Sequence, residues 1–229
     1  MNLSLAERLA SVVAAIAAPC VIVGIAVFLF LNPIWVGFDQ GRSNVTSITG
    51  YTPAQVNQAT GSILSDLVFG PPNFDVKVND TTVLDRSERS HMADVRKVLL
   101  GFGAIWLVAL ILFIVAAVAG RGRRWFWLAV SVGARVLIVG VVVVGGAFAL
   151  FFDQAFEAFH EAFFPAGTYM FDPRTEKLVQ LFPDQFWSET SVAIAAAVLG
   201  LAIVVALISG RLSREPGQAT PRPPAAWAP

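Results

Sequence analysis

The chain has 229 residues and no net formal charge, with sixteen Lys and Arg against sixteen Asp and Glu. Hydrophobic residues make up 56% and charged residues only 14%, and mean hydropathy is +0.68, which excludes an ordinary soluble domain, where about a quarter of residues are charged. The charge balance leaves no basic footprint for nucleic acid, and the single cysteine, Cys20, excludes an intrachain disulfide or a cysteine-based zinc site.

Four apolar runs, 9–31, 98–118, 125–152 and 191–209, reach the roughly 20 residues that a helix needs to cross a bilayer. The sequence therefore predicts an all-α membrane protein: four transmembrane helices with two structured extracytoplasmic segments. The first run reads as a retained anchor. Pro19 is a poor residue before a cleaved cysteine, and the run continues well past Cys20, beyond the length of a signal-peptide core. The short basic connection RGRR at 121–124, and Arg211 with Arg214 after the fourth run, belong on the cytoplasmic side. Both termini are then cytoplasmic, and residues 32–97 and 153–190 face out. The transmembrane domain with these segments spans 1–210, and the proline-rich tail 211–229 is expected to be a disordered cytoplasmic segment. Arg135, inside the third run, is costly in lipid and is expected to face the bundle or a polar cavity, as a structural tie or as a contact to a lipid oxygen.

In the first outer segment Thr52-Pro53 reads as an N-cap with proline at the first helical position, opening a helix that ends near Gly70. Phe74 to Val78 alternates as a strand does. Asp85 and Glu88 have capping-box spacing, so a helix begins there and runs into the second span, with His91, Asp94, Val95 and Val98 on one face. The second outer segment opens DQAFEAFHEAFF. Asp153, Glu157, His160 and Phe164 form one stripe beside a second of Phe152, Phe156, Phe159 and Phe163. This is either an extension of the third span or a short separate helix at the membrane interface.

His91 and His160 are the only histidines, and both fall just beyond apolar runs on the same predicted side. Spans two and three are joined by a short turn and should pack as antiparallel neighbours, which brings both imidazoles to one cavity at the outer boundary. Phe159, Phe163, Phe164 and Trp187 would wall that cavity and hold acyl chains, while Asp94 and Glu157 are candidates to orient the rings. Histidine suits proton transfer near neutral pH. His91, near a helix N-terminus, should stay neutral as base or nucleophile; His160, late in its helix, could stabilise an oxyanion. A GxSxG elbow and an HExxH pair are both missing from the sequence. Two other readings stand beside catalysis: a non-catalytic protein binding lipid or a partner through its outer face, and a divalent metal site built from both histidines and a carboxylate.

The ordered motifs HMADV at 91–95, FHxxFF at 159–164, Asp172-Pro173 and LFPxxFW at 181–187, set against four spans, resemble the Lit family of lipoprotein intramolecular transacylases. The likeness runs over 9–209. It implies an acyltransferase in the bacterial cytoplasmic membrane, working on its outer face; no cofactor or metal is expected. The implied partners are membrane lipid and diacylglyceryl lipoproteins, whose sn-2 acyl chain moves to the N-terminal cysteine amine to give the lyso-form. The family's two functional histidines fall on His91 and His160.

Overall fold

The computed structural model describes residues 3–214; the proline-rich stretch 215–229 of the expected tail lies outside the described residues. Four helices are long and apolar enough to cross a membrane, and the chain is a multi-pass membrane protein. The first is α1, Leu5–Phe30, with Pro19 inside it. The second, α5, Arg86–Gly120, is joined by a tight turn to the third. In that turn Arg121 closes α5 in a left-handed conformation, and Gly122 has φ +74°. The third span is compound: α6, Arg124–Gly140, a π-helical turn, Val141–Gly145, and α7, Gly146–Leu150. The fourth, α10, is Asp184–Leu212.

The bundle is built around α1, which packs against α5, α6 and α10, while α6 also packs along α10. Small residues allow the close approach: Ala14 and Ala18 of α1 share one apolar cluster with Ala116, Ala129 and Val130, and Ala26 shares a second, further along, with Ala134 and Ala202. This corrects one expectation. Spans two and three are antiparallel but not packed along their lengths; they touch beside the turn, where Phe113 and Phe126 rings are 5.7 Å apart and Gly120 lies against Phe126, and α1 separates them beyond. A short loop fixes where two helices begin. It does not prevent a third, small-faced helix from wedging between them.

Between α1 and α5 the chain builds a compact unit at the end of the bundle opposite the turn. Asn32 caps α2, Pro33–Arg42; α3, Val45–Thr49, follows; and α4, Pro53–Val68, opens with the Thr52–Gln55 capping box. Only Lys77–Val78 of the expected strand is paired, as β1 against β2, Thr81–Thr82. Asn79 and Asp80 between them both have positive φ, 49° and 59°, the two-residue primed turn that suits a twisted hairpin. The core of this unit is Ile63, Phe74, Val76 and Leu84, closed by Leu178 and Leu181 of α9, Lys177–Leu181. Polar ties fasten it: Gln40 donates to the Leu181 carbonyl at 2.9 Å, Thr190 of α10 donates to buried Asp39 at 2.6 Å, and Arg42 pairs with Glu189 at 2.5 Å.

Past α7 the helix breaks. Phe151 has φ −128° and ψ 48°, and the separate α8, Phe152–Phe163, starts after it. Of the two readings open for this stretch, a short separate helix is the one observed.

Candidate functional site

His91 stands in the second turn of α5, whose start is set by the reciprocal Asp85–Glu88 capping box. It lies seven residues ahead of Val98, outside the apolar stretch. His160 is in the last turn of α8. Their rings stack with centroids 6.1 Å apart and planes 19° from parallel. α8 therefore does what the expected hairpin packing does not: after the break at Phe151 it returns over the end of the bundle toward α5.

Aromatic rings fill the surroundings. Phe164 lies 4.7 Å from His91 and Phe171 lies 5.4 Å from it. Around His160 are Phe156 at 4.3 Å, Tyr169 at 5.1 Å and Phe159 at 5.6 Å. Of the expected lining, Phe164 is buried and touches both imidazoles, and Phe159 touches His160. Phe163 and Trp187 are one ring removed, packing on Phe159 and Phe156. Phe156 was recognised only as part of a stripe, and Tyr169 and Phe171 are further neighbours beyond the expected set. They come from an irregular segment without helical period, so the only sequence signal is their proximity to the histidine motif.

The two rings are held differently. His160 Nδ1 lies 2.7 Å from the Phe156 carbonyl oxygen, one turn back in α8. A carbonyl can only accept, so Nδ1 carries the proton, and Nε2 of a neutral ring keeps its lone pair for the site. His91 is 94% buried, being 6% exposed, and its Nδ1 has no hydrogen-bond partner. Burial, reinforced by His160 and opposed by Asp94, pulls its pKa from 6.5 down to about 4, so His91 is neutral at physiological pH. The cause of the lowered pKa is burial, where the sequence pointed to the helix N-terminus.

The carboxylates take other partners. Asp94 pairs with Lys97 at 2.8 Å, and Glu157 accepts the Tyr169 hydroxyl at 3.2 Å. The orienting acceptor for His160 is thus a backbone carbonyl. Among the described residues no group of three His, Cys, Asp or Glu side chains is placed to hold a metal ion. Arg135 also departs from expectation. It is exposed on the outside of the bundle, and a Cβ built on Gly210 would lie 3.4 Å from its Nη2. The guanidinium thus reaches along α10 toward the basic turn, a snorkelling arrangement that removes the need for an internal partner. It belongs to the other end of the molecule from the histidines.

Four apolar helices with a buried and a half-buried imidazole stacked under an aromatic cover define a polytopic membrane protein with a candidate histidine site. The sequence profile of lipoprotein intramolecular transacylase Lit matches residues 12–187, and the chain belongs to the Lit family. The fold is that of the membrane-integral lipoprotein intramolecular transacylase Lit from Bacillus cereus: its in meso structure superposes with a TM-score of 0.80 at 18% identity, covering 90% of this chain and 95% of that one. Two in meso structures of that protein with one histidine replaced, by arginine or by alanine, each give a TM-score of 0.75 at 18% identity over 90% of this chain, covering 91% and 93% of theirs. Comparison with curated protein sequences gives no match.

Proposed function

We propose that this protein is an intramolecular transacylase of bacterial lipoproteins, acting at the outer face of the cytoplasmic membrane on a substrate whose N-terminal cysteine carries a diacylglyceryl group. The acyl chain moves from the sn-2 ester of the glyceryl moiety to the cysteine α-amine. The observation that carries the reading is the stacked pair of imidazoles, 6.1 Å apart, one fixed in a proton-accepting tautomer and the other neutral through burial.

The steps follow from the two rings. The neutral α-amine attacks the sn-2 ester carbonyl carbon, forming the N–C bond. His160 Nε2 takes the proton that the nitrogen sheds, because its tautomer is set by Phe156. His91, neutral, offers its N–H to the oxyanion. Collapse of the intermediate breaks the bond between the acyl carbon and the glyceryl oxygen, and the imidazolium of His160 returns the proton to that oxygen. The products are an amide and a free glyceryl hydroxyl, with no net proton change. The base role thus falls to His160 rather than His91, since a ring with pKa about 4 is a weak base. Phe159, Phe163, Phe164 and Trp187 supply the apolar surface for acyl chains.

The direct test is expression in a bacterial strain lacking other lipoprotein N-acylation, with the N-terminal lipid of a reporter lipoprotein read by mass spectrometry. A lyso-form carrying an N-acyl group and one remaining O-acyl group is expected; an unaltered diacylglyceryl form would overturn the reading.

The proposed orientation has its own test. Met170 is 76% exposed beside the site, and Arg214 is exposed at the opposite end. Cysteine at 170 should react with a membrane-impermeant maleimide in intact cells, and cysteine at 214 only after lysis. The reverse pattern would invert the topology.

A further inference from the structure

Glu88 is 1% exposed, yet its two carboxylate oxygens serve different elements. Oε2 accepts the Asp85 amide at 2.6 Å, completing the cap of α5. Oε1 accepts the amide of Leu178 in the first turn of α9, also at 2.6 Å. The first bond is local and expected of a capping box. The second spans ninety positions and fastens the far end of the chain segment 164–176. That segment leaves α8 at Phe164, places Tyr169 beside His160 and Phe171 beside His91, and ends where α9 begins. It is a strap lying across both imidazoles. Lys177 supports the same anchor by donating to the Thr49 carbonyl at 3.0 Å, but among the described residues it is Glu88 that hydrogen-bonds it to the helix carrying His91, one turn further on.

We propose that Glu88 is a positioning residue for the transfer reaction: through the Leu178 amide it holds the strap down on His91 and so keeps that ring dry. The proposal rests on the transacylase reading for its functional consequence and on geometry alone for the strap. Its physical content is that His91 owes its burial to Phe164 and Phe171, which come from the strap, and burial is what disfavours the charged imidazole. The groups acting on the His91 charge are His160 of α8 and Asp94 of α5, the latter paired with Lys97. The nearest titratable groups of the strap are Tyr169, bonded to Glu157, and Asp172, held by Arg174 at 2.7 Å. Near Glu88 itself are Asp85, Glu176 and Tyr51.

The chain has only two histidines, so the imidazole resonances of detergent-solubilised, full-length protein can be titrated by NMR without crowding, each assigned by its asparagine variant. In the unsubstituted protein His91 should stay neutral down to about pH 4. In E88Q, where the amide keeps one acceptor oxygen for two backbone N–H groups, the His91 titration should move up by at least about one unit toward the ordinary histidine value. Burial raises the Glu88 pKa above its ordinary 4.5, so E88Q removes little charge at the pH of this titration, and any charge it did remove would lower the His91 pKa; an upward shift therefore reports a lifted cover. E88D, shorter by one methylene but still a carboxyl group, should shift it the same way and serves if E88Q does not fold. D85A weakens the same helix cap without touching the strap; it should lower the melting temperature and leave the His91 titration in place. An unshifted His91 in a folded Glu88 variant, or an equal shift in D85A, would overturn the proposal. In transfer assays E88Q should lose about tenfold in kcat with KM changed less than about threefold. If the unsubstituted protein transfers no acyl chain, the transacylase reading falls and the titration still decides the strap.

Discussion

Replacing His160 with asparagine is expected to lower lipoprotein N-acylation by about 10²- to 10⁴-fold, the contribution of a positioned general base, while leaving the protein folded. The imidazole is half-buried, and its hydrogen bond runs back to the Phe156 carbonyl of its own helix, so asparagine trims ring contacts with Phe156 and Tyr169 but breaks no hydrogen bond between elements. His91→Asn should have a comparable effect on transfer by a different route, through loss of the group that meets the oxyanion. The double variant should be no worse than about the poorer single one, because residues that act as a unit do not add. The measurement is the rate of lyso-form appearance in proteoliposomes, with melting temperature recorded in parallel. Full activity in the double variant would remove the imidazoles from the chemistry.

Burial of His91 also links folding to pH, and the sign is fixed by the direction of the shift. Its folded pKa, about 4, lies below the ordinary 6.5. Below pH 6.5 the unfolded chain binds a proton that the folded chain refuses. The contribution of the neutral ring is therefore complete above pH 6.5 and is lost as pH falls from there toward 4.

What the sequence disclosed, and what it hid, follows from the range of the interactions involved. The spans were legible because twenty apolar residues are a local property. So were the Asp85–Glu88 capping box and the Thr52 N-cap, since they are read from residues only a few positions apart. Five-residue helices such as Val45–Thr49 and Lys177–Leu181 carry too little period to be seen. The pairing of His91 with His160 was anticipated from a hairpin that does not pack as expected, and it arises instead from the break at Phe151. The second bond of Glu88 was hidden entirely: the capping spacing explains one carboxylate oxygen, and nothing local points to an amide ninety positions away. The orienting acceptor of His160 was missed for the opposite reason. A backbone carbonyl one turn back is present in every helix, so only coordinates distinguish the one in use.

The same dependence on range governs a second large effect, in the bundle itself. Pro19 has no N–H, so the carbonyl of Ala15, four residues earlier in α1, loses its usual intrahelical partner. The structure sets Gly133 of α6 against that carbonyl, and a Cβ built on Gly133 would collide with the Ala15 oxygen and lie 3.1 Å from Pro19 Cδ. The obstructing atom is backbone, which cannot swing aside as a side chain tip does. Gly133→Ala is therefore expected to destabilise the fold by about 1–3 kcal/mol, the usual range for overpacking, and to lower the melting temperature in detergent. Gly140, two turns further along the same helix, has nothing within 4 Å of its own added Cβ. Gly140→Ala should be neutral or slightly stabilising, since alanine is the better helix former by about 0.5–1 kcal/mol. Opposite signs for two Gly→Ala changes in one span would place the α1–α6 contact at the proline. Equal melting temperatures for the two variants would mean that the helices are not held as closely there as the Ala15 contact requires.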